Sequence, residues 1–335
     1  MKVDGGIGGF DSAADMAKMQ EGLGYDGLWS VETGHDPFLP LLLAAQSTER
    51  VALGTGIAVA FARNPMTTAV IANDIQLASK GRHILGLGSQ IKPHIEKRFS
   101  MPWSHPAPRM REFILAMRAI WDCWNTGGKL EYRGEYYTHT LMTPFFSPGP
   151  NPYGPPKVFL AAVGAVMTEV AGEVADGLMV HPFTTERYLK EVTLPAVERG
   201  LAKAGRSRDD FQLQYSAFVV SGPQKEREAA AGMVRNQISF YGSTPAYRGV
   251  LELHGWGELQ TEFNTLSKQG KWAEMAGLVT DDVLETFAVV ADDADDVSTR
   301  LIARYGGVID RISFYVPVSG DADARAQVMK ALQAA

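Results

Sequence analysis

Short apolar runs rich in β-branched residues alternate along this chain with longer stretches in which apolar residues recur every three or four positions. The pattern is clearest between residues 51 and 90. There VALGTGIAVAFARNP reads as a strand, MTTAVIANDIQLASKG as a helix and RHILGLGSQ as a second strand. Asn64-Pro65 stops the first strand and opens the helix, because proline fits the first helical turn. The helix carries Val70, Ile71, Ile75 and Leu77 on overlapping three- and four-residue spacings, and Gly81 ends it. Gly54 and Gly56 stand where a strand ordinarily carries side chains, so they mark a bulge or a close backbone approach by a ligand. Both strands end in glycine and small polar residues, the pattern expected where a ligand rests on strand C-termini.

The alternation continues from end to end. Strands are expected at Lys2–Ile7, Tyr25–Glu32, from Val51, and at Ile84–Gly88, Lys157–Val163, Gly177–Phe183, Phe211–Gly222 and Asp310–Val316. Helices are expected at Ala13–Leu23, with Met16, Met19 and Leu23 on one face, and at Pro37–Arg50, Arg109–Trp124, Val166–Ala175, Thr185–Ala204, Lys225–Tyr241, Asp295–Tyr305 and Asp321–Ala334. Strand–helix units joined by short links specify a parallel sheet with right-handed crossovers. Eight such units in 335 residues specify a (β/α)8 TIM barrel, read as a single domain over residues 1–335 with insertions near 91–108, 127–156 and 243–277. The second insertion contains an alternating stretch that turns at Arg133-Gly134, a hairpin signal, followed by a Pro/Gly/Asn-rich loop. An open doubly wound sheet satisfies the same unit count.

Composition narrows the function. A net charge of −6 gives no whole-protein electrostatic case for nucleic acid. The single cysteine, Cys123, rules out an intramolecular disulfide and any zinc site built from four cysteines or from a cysteine pair and a histidine pair. Its apolar neighbours mark it as a packed thiol. The longest apolar run, Phe38–Ala45, contains Pro40 and is far too short to span a bilayer, and the N-terminus has no signal-like segment. The expectation is a cytoplasmic soluble protein without membrane contact. Asp292, Asp293, Asp295 and Asp296 read as helix-capping acids, and no metal site is expected.

In a barrel the chemistry sits at the strand C-termini. The residues there are Gly5–Gly8, Glu32–His35, Ile57–Arg63, Gly88–Gln90, Val163–Met167, His181–Phe183, Ser221 and Val318. Glu32-Thr33-Gly34-His35 puts an acid beside a histidine; its alternative is an ion pair of Glu32 with Arg63 and a His35 that merely turns the chain. Ala162-Val163-Gly164-Ala165-Val166-Met167 runs from a strand into a helix, whose free N–H groups suit a phosphate. His181 follows the sixth strand, either as a ligand contact or at the core edge. Residues 92–111 hold Lys92, Lys97, Arg98, Arg109 and Arg111 against Glu96, which fits an anionic ligand tail or a solvated loop.

LGTGIAVAFARNP, GRHILGLGSQ, LAAVG…AGEVADGLMV and RISFY resemble the luciferase-like monooxygenase superfamily. ETGHDPFLP, AFARNP and LGLGSQ resemble its branch of oxidoreductases that use the deazaflavin coenzyme F420. The resemblance implies a barrel that holds the cofactor ring at the strand C-termini. It implies a non-proline cis peptide at Gly56-Ile57, cofactor contacts from Gly56, Ile57, Ala58, Gly88, Ser89, Gln90, Ala162–Met167 and His181, and catalytic roles for His35 and its orienting partner Glu32. The acid–histidine element matches the family only with a two-residue insertion. Gln90-Ile91 stands where the sugar-phosphate dehydrogenases of the family carry a glutamate, so that substrate is not expected. The expected function is hydride transfer between a small organic substrate and F420. The alternatives are an FMN-dependent monooxygenase and a non-catalytic flavin-binding member. The apolar outer helices are compatible with a homodimer.

Overall fold

A computed structural model describes residues 1–315 and 321–335. The apolar runs form β1 (Lys2–Gly6), β2 (Gly27–Ser30), β3 (Ala52–Thr55), β4 (His83–Gly88), β5 (Lys157–Ala162), β6 (Gly177–Val180), β7 (Gln212–Val220) and β8 (Arg311–Phe314). Each pairs in parallel with the next. β8 returns to β1 in the register Lys2↔Arg311 and Val3↔Ile312, so the sheet closes. The chain is a TIM barrel, and the open-sheet alternative is excluded. Val316 and Val318 lie outside the described residues.

The outer layer is α1 (Ala13–Leu23), α2 (Phe38–Ser47), α3 (Pro65–Ala78), α4 (Pro106–Thr126), α5 (Ala165–Val174), α6 (Leu194–Ala204), α7 (Gln224–Gly242), α8 (Ala294–Tyr305) and α9 (Ala322–Ala334). Local chemistry sets their ends. Asn64 caps α3 by accepting from the Thr67 N–H at 3.0 Å, with Pro65 in the first turn. On α4 the expected stripe of Phe113, Met117, Ile120, Trp121 and Trp124 is buried, each large side chain contributing about 1.5–3 kcal/mol.

Two expected helix faces are wrong. α1 buries Ala13, Ala17 and Gln20, while Met19 and Leu23 are exposed. α3 buries Thr68, Ala69, Ala72, Asn73, Ile75 and Gln76, while Val70 and Leu77 are exposed. Small residues let these helices approach the sheet closely, and the buried amides bond to backbone: Gln20 Nε2 donates to the Gly6 carbonyl, and Gln76 Oε1 accepts the His83 N–H.

Strand alternation divides the barrel interior into layers. At the bottom, Arg311 grips Asp4 with two bonds of 2.9 and 2.6 Å, and Trp29 Nε1 donates to the same carboxylate at 2.9 Å. Above them Trp29, Ile84, Phe159 and Met179 fill the middle. Gly54 belongs to this packing: a Cβ there would strike the Trp29 indole. Its glycine is explained by Trp29 and not by a ligand.

The segments between units have structure of their own. Residues 91–108 contain a short helix, Lys92–Lys97. Tyr132–Arg133 and Thr138–His139 pair as an antiparallel hairpin, clasped to α4 by Glu112, which accepts the Glu135 and Tyr136 N–H groups at 2.8 Å. After α7 come helices Arg248–Glu252, Gly257–Lys268, Trp272–Gly277 and Asp281–Phe287, then strand Ala288–Val290, which extends β7. These segments build a second hydrophobic cluster around Phe183, Val234, Ile238, Val250, Leu251, Phe263 and Met275. Among the described residues no helix is long and apolar enough to cross a membrane.

Candidate functional site

Above the Trp29–Met179 layer the inward positions become small. Gly6, Gly56, Ala161, Ser216 and Ser313 are all exposed or partly exposed, where large side chains would have filled the barrel. The mouth is therefore a well with a floor of Trp29 and Met179. Ile57 leans over β4, where a Cβ on Gly88 would lie 2.9 Å from its Cδ1. The Gly56-Ile57 peptide is cis, as the resemblance implies. A Cβ on Gly56 would sit 3.4 Å from both Met179 Cε and Trp29 Cβ, an ordinary contact, so internal packing does not demand this glycine. Ala58 is fully buried between barrel and helices, so its side chain faces away from the well. Ser89 and Gln90 are partly exposed at the end of β4, and Gln90 turns the chain at φ 60°.

At the end of β5, Gly164 precedes α5 with no side chain capping the helix. The amides of Ala165, Val166 and Met167 form its uncapped first turn, positive in potential and suited to an anion. Ala162 and Met167 pack against the core, while Val166 is exposed at the rim. The Val163 carbonyl accepts the Tyr188 hydroxyl at 3.4 Å.

Glu32 and His35 are not paired. The Glu32 carboxylate accepts the Val59 N–H and Arg63 Nη1, each at 2.7 Å, and Arg63 also reaches Asp36 at 3.2 Å and the Val59 carbonyl at 3.1 Å. This is the ion pair weighed as the alternative from sequence. It ties the loop after β2 to the segment after β3. His35 is exposed and makes no hydrogen bond or ion pair among the described residues. Arg98 donates to the Thr33 carbonyl at 2.5 Å, bringing residues 92–98 against the same loop.

The basic segment does not act as one patch. Arg111 is paired with Glu173 of α5 at 2.6 Å. Arg109 is buried over the Phe61 ring at 4.4 Å and bonds to Tyr137 and the Pro102 carbonyl. Lys92 faces Glu96 at 3.7 Å. Among the described residues, Lys97, Arg98 and Arg109 of this segment have no carboxylate partner, and of these only Lys97 and Arg98 are not buried.

His181, one step above Met179 on the inward side of the β6 chain, borders the well. Its Nδ1 accepts the Phe183 N–H at 3.0 Å, and burial pushes its pKa down to about 4. Tyr241 and Tyr247 pack on its ring with centroids at 4.5 and 4.8 Å. Tyr241 shares a hydrogen bond of 3.1 Å with Tyr315 beyond β8, and burial raises the Tyr241 hydroxyl pKa well above its usual value. The two tyrosines near residue 245 escaped sequence analysis. Only a run of aromatics in a poorly periodic segment signalled them.

The profile of the luciferase-like monooxygenase family matches residues 2–311. A Mycobacterium tuberculosis protein described as uncharacterized is 56% identical over 93% of this chain and 92% of its own length. The 5,10-methylenetetrahydromethanopterin reductase of Archaeoglobus fulgidus is 29% identical over 85% of this chain and 83% of its own. Among solved structures, the coenzyme F420 dependent tetrahydromethanopterin reductase of Methanopyrus kandleri superposes with a TM-score of 0.79 at 22% identity, covering 100% of this chain and 99% of that one. With the closed barrel, the small-residue well and a family match over nearly its whole length, this chain is an oxidoreductase of the luciferase-like monooxygenase family.

Proposed function

We propose that the protein is an F420-dependent oxidoreductase acting on a small organic substrate. The observation that carries the reading is the well of small residues above Trp29 and Met179, open at Gly6 and Gly56 and bordered by the uncapped start of α5. A flat tricyclic ring fits such a well, and a phosphate of its tail fits the amides of Ala165–Met167. Gly56, Ile57, Gly88, Ser89, Gln90 and Val163 would hold the ring, with Ala58 contributing backbone alone. Bound F420 supplies a ring carbon that accepts or releases a hydride.

The rest of the chemistry belongs to the chain. The side chains of Ile57, Trp29 and Met179 keep water from below the ring. His35, on an exposed loop at the rim, would exchange a proton with the substrate. Glu32 supports that loop through Arg63 and Val59, and so acts on His35 at a distance as a positioning residue. The preference for F420 over FMN is supported by the segments that resemble the F420 branch and by the M. kandleri reductase. The dispersal of the basic segment leaves only Lys97 and Arg98 to favour a longer anionic tail. Purification from an F420-producing host tests the reading: co-purifying F420, identified by absorbance and mass, supports it, and bound FMN in its place overturns it.

A homodimer belongs to the same proposal. Met19, Leu23, Leu39, Leu42, Val70 and Leu77 are exposed on the neighbouring helices α1, α2 and α3. Apolar side chains concentrated on adjacent helices suit a face covered by a second copy. Light scattering at twice the chain mass, reduced to one chain by Leu23→Lys with Val70→Lys, is the expected result; a monomeric wild type refutes it.

A further inference from the structure

His181 stands among aromatic rings at the mouth, and its surroundings fix which nitrogen carries the proton. The Phe183 amide donates to Nδ1 at 3.0 Å, so Nδ1 must offer its lone pair and the neutral ring bears its proton on Nε2. Among the described residues Nε2 has no protein partner. Strand alternation places residue 181 on the same side as Met179, whose side chain forms the floor of the well. Burial disfavours the imidazolium, so the ring stays a neutral donor at ordinary pH.

The groups around it are uncharged and flat. Tyr241 approaches the imidazole edge-on at 4.5 Å and Tyr247 lies tilted at 4.8 Å. Phe183 stacks beyond Tyr247 at 6.1 Å, and the Tyr241–Tyr315 hydroxyl bond ties α7 to the end of β8. This wall is backed by the second hydrophobic cluster, in which Phe183, Ile238, Val250 and Phe263 are buried, so its rings are held in place. Among the described residues, no side chain in ring contact with His181 carries a charge. A charged ligand here would have no counter-charge from these rings, whereas a neutral flat one finds ring faces, the Nε2–H donor and the tyrosine hydroxyls beside it.

We propose that the β6–β8 side of the mouth is the substrate subsite, and that it takes a flat, neutral carbonyl compound whose oxygen accepts a hydrogen bond from His181 Nε2–H while its body lies against Tyr241, Tyr247 and Tyr315. The proposal rests on the oxidoreductase reading for calling the ligand a substrate; the binding itself does not depend on which cofactor fills the well. A donor of this kind polarises the carbonyl without giving up its own proton; when a hydride reaches the carbon, the oxygen would take its proton from the solvent side of the open mouth.

The test is a titration of the purified protein, with whatever cofactor it carries, in which the imidazole nitrogens are 15N-labelled. The probes are cinnamaldehyde, its hydrocarbon analogue 1-propenylbenzene, and cinnamate. Cinnamaldehyde should shift the His181 Nε2 resonance saturably and bind about three- to tenfold more tightly than the hydrocarbon, the range for one neutral hydrogen bond. Cinnamate should bind more weakly than the aldehyde. His181→Phe should abolish the difference between aldehyde and hydrocarbon, and His181→Gln, which keeps an N–H donor, should restore part of it. Equal binding of aldehyde and hydrocarbon to the wild type, or tighter binding of cinnamate, overturns the proposal even where a variant fails to fold. If F420 binds and His181 does not respond, the subsite is wrong and the cofactor reading stands. If His181 responds and F420 does not bind, the subsite stands and the cofactor reading falls.

Discussion

Replacing Glu32 by alanine separates a structural acid from a catalytic one. The carboxylate accepts from the Val59 N–H and Arg63 Nη1, both at 2.7 Å, and the side chain is 8% exposed. Alanine leaves the Val59 amide without its acceptor and Arg63 with Asp36 at 3.2 Å and the Val59 carbonyl at 3.1 Å. A buried donor stripped of its partner costs about 1–3 kcal/mol. Arg63 is 19% exposed, so the ion pair adds an amount nearer the surface range of about 0–1 kcal/mol than the buried one. The expected loss is about 1–4 kcal/mol, or roughly 1–6 °C in Tm for a chain of this size. Glu32→Gln keeps an acceptor for one of the two donors and should lose about half as much. Thermal melts and urea titrations give the stability, and hydride transfer normalised to folded protein gives the chemistry. Glu32→Ala that melts with the wild type while turnover falls about a hundredfold, the scale of acid–base assistance, would refute the structural assignment.

His35→Ala should lower turnover about 10²- to 10⁴-fold with F420 affinity within a few-fold, and unchanged single-turnover rates would remove His35 from the chemistry. Gly54→Ala drives a Cβ into the Trp29 indole and should destabilise by about 1–3 kcal/mol in urea melts, whereas wild-type stability would show that the ring can move aside. Gly56→Ala meets only 3.4 Å contacts, so its Tm should match the wild type while equilibrium dialysis shows weakened cofactor binding; retained affinity would place the ring elsewhere. Burial holds His83 at a pKa of about 4, below the unfolded value near 6.5, so its contribution is full above pH 6.5 and is lost as pH falls toward 4. That contribution amounts to about 3 kcal/mol. His83→Asn, whose amide can still donate to the Leu53 carbonyl, should flatten the fall in Tm between pH 7 and pH 4.5, and an unchanged slope would contradict the assignment.

The barrel was legible because each strand is a short β-branched run closed by glycine or a polar turn, and each helix follows within a few residues. These are local signals. The faces of α1 and α3 were not, because alanine and glutamine point inward there while Met19, Leu23, Val70 and Leu77 point out, and periodicity alone favours the larger apolar residues. The role of Gly54 depends on Trp29, which lies far away in sequence but beside it in the sheet, with Trp29↔Gly54 in register. Likewise, the fate of Arg109 and Arg111 turns on Tyr137 and Glu173, partners that no spacing rule connects. At the candidate site, sequence order found the strand ends and the uncapped turn at Gly164. It missed Tyr241 and Tyr247, because the wall they form with His181 depends on how the helices after β7 fold back over the barrel.

The central claim is that the well above Trp29 and Met179 holds a deazaflavin. Titrating the cofactor-free protein with F420 and with FMN at the same ionic strength, followed by fluorescence quenching, tests it most directly. Saturable F420 binding at least about tenfold tighter than FMN, a difference of about 1.4 kcal/mol, is the predicted result. FMN binding equal to or tighter than F420 would contradict it.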